Sequence, residues 1–222
     1  MQNPQEIVKK FNKFFTSVGP TLAGKIPDTQ KSFQDFLTSH NEQMQFKELN
    51  SDEFEEAFKN LKRNKAAGFD ELSSIIIIDA YNSLKNILFH VFKVSIKQGT
   101  FPDSLKIAKV TVIFKSGAKD NVSNYRPISI LPVFSKVLKR IMYNRVYNHL
   151  DSKGLLYEKQ FGFQRNNSTE HAILQLTRDI TSSFEKGEYT LGVFIDLSKA
   201  FDTVDHQILI KNYSIMELMA LH

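Results

Sequence analysis

The chain has 222 residues, with 29 Lys plus Arg against 24 Asp plus Glu, a net charge of +5, and neither cysteine nor tryptophan. Zero cysteines exclude a disulfide scaffold, a thiolate zinc site and a cysteine nucleophile, and no apolar run approaches the ~20 residues that span a bilayer. At 41% hydrophobic and 24% charged it is an ordinary globular composition, with 19 Phe to fill a core.

Ile7, Val8, Phe11, Phe14 and Phe15 recur at helical spacing over residues 4–18, and Gly19-Pro20 is expected to stop that helix. Residues 19–50, rich in Thr, Ser, Gln and Asn, read as a linker. Ser51 is expected to cap a helix running to about Asn64, with Phe54, Ala57, Phe58 and Leu61 on one side and Glu53, Glu55, Glu56 and Lys59 on the other. KAAGFD (65–70) is a turn in which Gly68 is free to take positive φ; the apolar run 75–78 and a helix from about Asp79 to Lys97 follow.

Val110, Val112 and Phe114 alternate with Lys109, Thr111, Ile113 and Lys115, which predicts a strand over 107–115. Residues 125–131 read as the returning strand of a hairpin with a basic rim, Pro127 pointing to a sheet edge. Phe134, Val137, Leu138, Ile141, Arg145 and Val146 mark a long helix to about Leu150, with Lys136, Lys139 and Arg140 on its other face and Gly154 at its end. Ser168 is expected to cap a helix bearing Ala172, Leu176, Ile180 and Phe184, ended by Gly187. Residues 189–195 predict a buried strand that delivers Asp196 at its tip.

The charge is uneven: residues 106–165 hold 12 Lys plus Arg and three acids, Asp120, Asp151 and Glu158, for a local net of +9, and the rest of the chain carries −4. Such a stretch either makes a positive face for polyanions or lies as solvated helix surface. Asp196, at the end of an apolar strand, suits a hard cation such as Mg²⁺ that takes one or two carboxylates plus substrate phosphates. A lone aspartate there serves equally well as a turn cap.

LGVFIDLSKAFDTVDH (191–206) resembles motif A of the reverse transcriptases of LINE-type, non-long-terminal-repeat retrotransposons of the jockey kind, in which an apolar strand, Asp and four residues precede an aromatic. Other blocks occur in order. Residues 65–70 are similar to the family's K-x-x-G-x-D block, Phe101-Pro102 with VTVIFKSG and NYRPISIL resembles the fingers hairpin, and QFGFQRNNSTEHAIL resembles the block before motif A. The resemblance covers roughly 45–211. It implies a helix-rich α/β (α+β) right-hand polymerase fold, comprising the fingers and the beginning of the palm. In that reading 1–44 is an N-terminal helix and linker, 45–211 a partial reverse transcriptase domain and 212–222 a divergent tail.

The resemblance also implies roles. Asp196 is the catalytic carboxylate and, with the backbone carbonyl of Leu197, a ligand of Mg²⁺, or of Mn²⁺ in its place. Lys115 and Arg126 hold the β- and γ-phosphates of the incoming nucleotide, and Phe201 lies under its sugar and selects deoxynucleotides. Phe161, Gly162, Phe163 and Arg165 contact the template; the family commonly has Arg directly after Gly-Phe, where this chain has Gln164. Asp202 and Asp205 are expected to brace the following helix, and no His has a partner at metal-ligand spacing, so His149 and His206 are structural.

Two-metal phosphoryl transfer needs further carboxylates. The family takes them from a Tyr/Phe-x-Asp-Asp turn, which these residues lack along with a thumb and a preceding endonuclease. A reverse transcriptase fragment truncated after motif A and inactive alone is therefore expected, engaging RNA template, DNA primer and dNTP, with no membrane and no identifiable protein partner. The alternative is a non-catalytic RNA- or DNA-binding module using segment 106–165; a third reading is a relic without a role. The ending NYSIMELMALH departs from the family's K-L-x-x-Y-G-I continuation and is compatible with a frameshift. The polar start carries no signal peptide or lipidation site, so an intracellular protein is expected, nucleus and cytoplasm not being distinguished.

Overall fold

The computed structural model describes residues 3–25, 35, 44, 47–197 and 199–215. Most of the expected linker, and the tail beyond 215, lie outside them. The chain divides into two units, Met1–Val146 with Phe201–His222, and Tyr147–Ala200.

Helix α1 (Pro4–Ala23) begins where the Asn3 side chain accepts the Gln5 N–H, with Pro at the first helical position. It does not stop at Gly19-Pro20. Pro20 forfeits one hydrogen bond in the last turn, which a helix tolerates near its end, and buried Gly19 serves a close approach: a Cβ there would lie 2.3 Å from the Asp202 carbonyl oxygen.

The core is built from α2 (Ser51–Lys59), α3 (Ser74–Asp79), α4 (Tyr81–Lys97) and the first turns of α6 (Val133–Ser152). Phe54 is its centre, fully buried with ring centroids 4.8 Å from Phe58, 5.5 Å from Phe89 and 5.6 Å from Phe92. Val133, Val137 and Ile141 close it from α6, and Leu49 packs in from the segment before α2. Offset and edge-on aromatic pairs of this kind add roughly 0.5–1.5 kcal/mol each beyond their buried area.

Several boundaries differ from expectation, each for a local reason. Asn50 rather than Ser51 caps α2, its side-chain oxygen accepting the Glu53 N–H at 2.8 Å. That helix ends at Lys59, not Asn64, because the Asn60 amide turns back onto the Glu56 carbonyl at 2.9 Å and competes with a further turn. The run 75–78 forms α3, capped by Ser73; Ile77 is buried while Ile75 and Ile76 are exposed. Gly68 does not use positive φ, which falls instead to Glu71 at 57°. What Gly68 provides is room: a Cβ would stand 2.6 Å from the Pro132 nitrogen, at the start of α6.

After the short α5 (Asp103–Lys106), strands β1 (Lys109–Phe114) and β2 (Tyr125–Ile130) form an antiparallel hairpin with Ile113 opposite Arg126 and Phe114 opposite Tyr125. The Lys115 N–H continues the ladder to the Asn124 carbonyl at 2.8 Å. Hydrogen-bonded pairs alternate along such a ladder, which puts Pro127 in a non-bonded pair opposite Val112, where its missing N–H costs nothing. Gly154 ends α6 with φ of 63°.

In the second unit α7 (Thr169–Glu185) starts at Ser168, whose hydroxyl accepts the His171 N–H, and Gly187 follows its end with φ of 68°. Hydrogen bonds from the Ser168 hydroxyl and from its own backbone N–H hold the Glu170 carboxyl below its ordinary value. The expected buried strand at 189–195 is not formed: these residues carry no strand assignment and are exposed, Phe194 by 88% and Ile195 by 82%. A strand needs a neighbour to satisfy its N–H and C=O groups, and among the described residues β1 and β2 pair only with each other. In the first unit α8 (His206–Ile215) is capped by Asp205, which accepts the Gln207 and Ile208 N–H groups.

Candidate functional site

The hairpin sorts its side chains by alternation. Phe114 and Tyr125 share one face, their rings 5.4 Å apart, and Phe11 of α1 packs edge-on against Tyr125 at 4.9 Å. That face is braced by α1. Arg126, opposite Ile113, shares the other face with Lys115 two positions further along, so the two cations are diagonal neighbours, a spacing within reach of long side chains. Both are exposed and neither forms an ion pair among the described residues.

The loop before α7 is held by its polar side chains. Gln160 donates to the Gly162 carbonyl at 2.9 Å, Gln164 to the Tyr157 carbonyl at 2.9 Å, and Asn167 to both Gln160 and Gln164. Gln164 is therefore turned into the loop. Arg165 stands at the loop's link to α6: its N–H donates to the Tyr147 hydroxyl, its guanidinium donates to Asn148 at 2.9 Å and packs 4.3 Å over the Tyr147 ring. Phe163 has φ of 61° and is 84% exposed, and nothing lies within 4 Å of a Cβ built on Gly162. Phe161 is half-buried.

Asp196 and Leu197 lie beyond the exposed segment 189–195, both open to solvent, and Phe201 is 79% exposed. Their donor chemistry, a carboxylate and a backbone carbonyl, suits a hard divalent cation. Among the described residues there is no group of three His, Asp, Glu or Cys that could complete such a site. The structure thus brings Lys115 and Arg126 onto one face, and gathers Phe161, Gly162, Phe163 and Arg165 in one loop. Lys115, Arg126 and Phe201 belong to the first unit, and Asp196, Leu197 and the loop to the second.

Residues 113–220, which begin inside β1 and include the loop, Asp196 and Phe201, match the family model described as reverse transcriptase (RNA-dependent DNA polymerase). The chain carries a reverse transcriptase segment. Its relatives are retrotransposon proteins. A "Probable RNA-directed DNA polymerase from transposon BS" of Drosophila melanogaster is 30% identical over 82% of this chain and 21% of its own length. The "RNA-directed DNA polymerase from mobile element jockey" of the same species is 30% identical over 70% of this chain and 17% of its own length. A 115 kDa protein in the type-1 retrotransposable element R1DM is 34% identical over 65% of this chain and 14% of its own. The chain spans about a fifth or less of the length of these relatives. The LINE-type, jockey-like kinship read from the motif order is what they bear out.

Two features of the chain are not evident from its sequence pattern. Arg145 of α6 forms a two-pronged pair with Glu53 of α2 at 2.6 and 2.8 Å and also donates to the Lys47 carbonyl. Glu53, assigned to the solvent side of α2, faces this arginine; the signal was Arg145 itself, a charge standing four residues after Ile141 on an apolar stripe. The second is a crevice of basic residues between α2, the 60–74 loop and α6.

Proposed function

We propose that this chain is the nucleotide- and template-engaging part of an RNA-directed DNA polymerase, built from the fingers and the start of the palm. The observation that carries this reading is the hairpin: its register gathers Lys115 and Arg126 on an exposed face, inside a segment that matches the reverse transcriptase model. Two cations so placed suit the β- and γ-phosphates of a dNTP, Arg adding its planar fork. Phe201 in this reading excludes a ribose 2′-hydroxyl. Phe163 and Gly162 offer an open surface on which a template backbone and base can rest, with Arg165 beside them.

Asp196 and the Leu197 carbonyl would hold Mg²⁺, or Mn²⁺ in its place, and the cation when bound would supply electrostatic stabilisation of the transferring phosphate. Among the described residues no group of three His, Asp, Glu or Cys completes a site there, and two-metal transfer needs further carboxylates. The 222-residue chain therefore binds but does not polymerise by itself. Primer extension on an RNA template with Mg²⁺ or Mn²⁺ tests this; no incorporation is expected, and template-dependent incorporation abolished by Asp196→Ala would overturn it. Retention of dNTP in the presence of Mg²⁺, lost in Lys115→Ala and in Arg126→Ala, is the expected positive result.

A second reading, a non-catalytic nucleic-acid-binding module, is favoured by the local +9 of residues 106–165. Salt-sensitive RNA binding that is indifferent to dNTP and to both hairpin substitutions would select it.

A further inference from the structure

A separate group of cations lies away from the hairpin. Lys62 and Lys65 of the loop after α2 and Lys136 and Arg140 of α6 line a cavity of about 270 Å³, with Asn60 and Ser74 as further polar neighbours and no carboxylate in its wall. Gly68 makes the arrangement: its missing Cβ lets the loop lie against Pro132, and Lys136 is held there by donating to the Ala66 carbonyl at 3.3 Å. Asp79, five residues after Ser74, pairs with Arg63 at 2.9 Å. None of the four cations forms an ion pair among the described residues.

This is an unfavourable arrangement for an idle surface. Lys136 and Arg140 stand four apart on one helix, where like charges repel and a carboxylate partner would stabilise. The cavity is also smaller than the roughly 300–1,000 Å³ of small-molecule sites, and its wall has no aromatic ring on which a base could stack. It suits phosphate without base.

We infer that the Lys62, Lys65, Lys136 and Arg140 crevice binds backbone phosphates of a single-stranded nucleic acid, apart from the nucleotide-binding hairpin. The inference rests on the reading of this chain as a nucleic-acid-engaging polymerase segment. Such a site positions a strand without reading its sequence.

The test is the salt dependence of binding to a fluorescein-labelled single-stranded RNA by anisotropy, with the full 222-residue chain. Each single-strand phosphate contact contributes about −0.7 to the slope of log K against log salt, so Lys136→Gln/Arg140→Gln should make it shallower by about 1.4. Lys62→Gln/Lys65→Gln, confined to a surface loop, should do the same, and both pairs should retain dNTP as the parent does. The charge-matched Lys97→Gln/Lys186→Gln control should change neither. RNA binding with an unaltered slope in both crevice pairs would overturn this inference and leave the polymerase reading standing. No RNA binding by the parent chain at 50 mM salt would overturn both.

Discussion

Arg145 and Glu53 form a two-pronged, largely buried ion pair, with only 11% and 19% of their side-chain surface exposed. Replacing Arg145 by Ala leaves a half-buried carboxylate and the Lys47 carbonyl without their donor, and a loss of about 2–4 kcal/mol is expected from urea unfolding. Arg145→Ala with Glu53→Gln should recover part of it, because the stranded charge is then gone. At Gly68 the expectation is equally local: Ala places a methyl 2.6 Å from backbone that cannot swing aside, so about 1–3 kcal/mol should be lost. The sequence marks Gly68 as a turn glycine, but its role is a close contact. A glycine in a turn suggests φ freedom, whereas a close approach between segments 64 residues apart leaves no local trace.

Among the elements, the helices with strong caps and apolar spacing were legible, as α7 shows from Ser168 to Gly187. The hairpin was legible too, because strict alternation and the turn residues at 116–124 fix both its register and its faces. α2 and α4 are further tied by Glu55 with Lys85, and the segment before α2 by Glu48 with Lys93 at 2.8 Å on α4. In each case the lysine, first by its hydrogen bond and then by its charge, holds the carboxyl below its usual value. A carboxyl depressed in the folded state contributes stability at pH above its unfolded value and loses it as pH falls through the folded one. The urea midpoint should therefore fall on acidification below about pH 4.5, and Lys85→Gln, which removes one of these ties, should flatten that fall.

For the whole molecule, the failed expectation is the informative one. Residues 189–195 have the composition of a buried strand, and apolar character alone predicted it. Burial of a strand is a property of its neighbours, and no further strand is present among the described residues to pair with it. Amide hydrogen exchange should find 189–195 unprotected while the hairpin's ladder and the core turns of α6 exchange slowly. Strong protection at Val193 and Phe194 in the isolated chain would contradict the exposure described above. The placement of the candidate residues was legible in the same uneven way: the hairpin expected from the sequence sets Lys115 and Arg126 near each other, but the internal partners of Arg165 depend on Tyr147, 18 positions earlier.

Exposed Tyr189, Leu191 and Phe194, on backbone outside any helix or strand, offer what a digestive protease requires, an accessible stretch with large apolar side chains. Brief chymotrypsin treatment should cut there before anywhere in α2, α4 or α6. The buried apolar cluster lies between Leu49 and Ile141, so the larger product should keep its helical dichroism and its thermal transition. The string that best reveals the ancestry of this polypeptide is then its first point of cleavage, and an easy place to graft a tag or a missing strand.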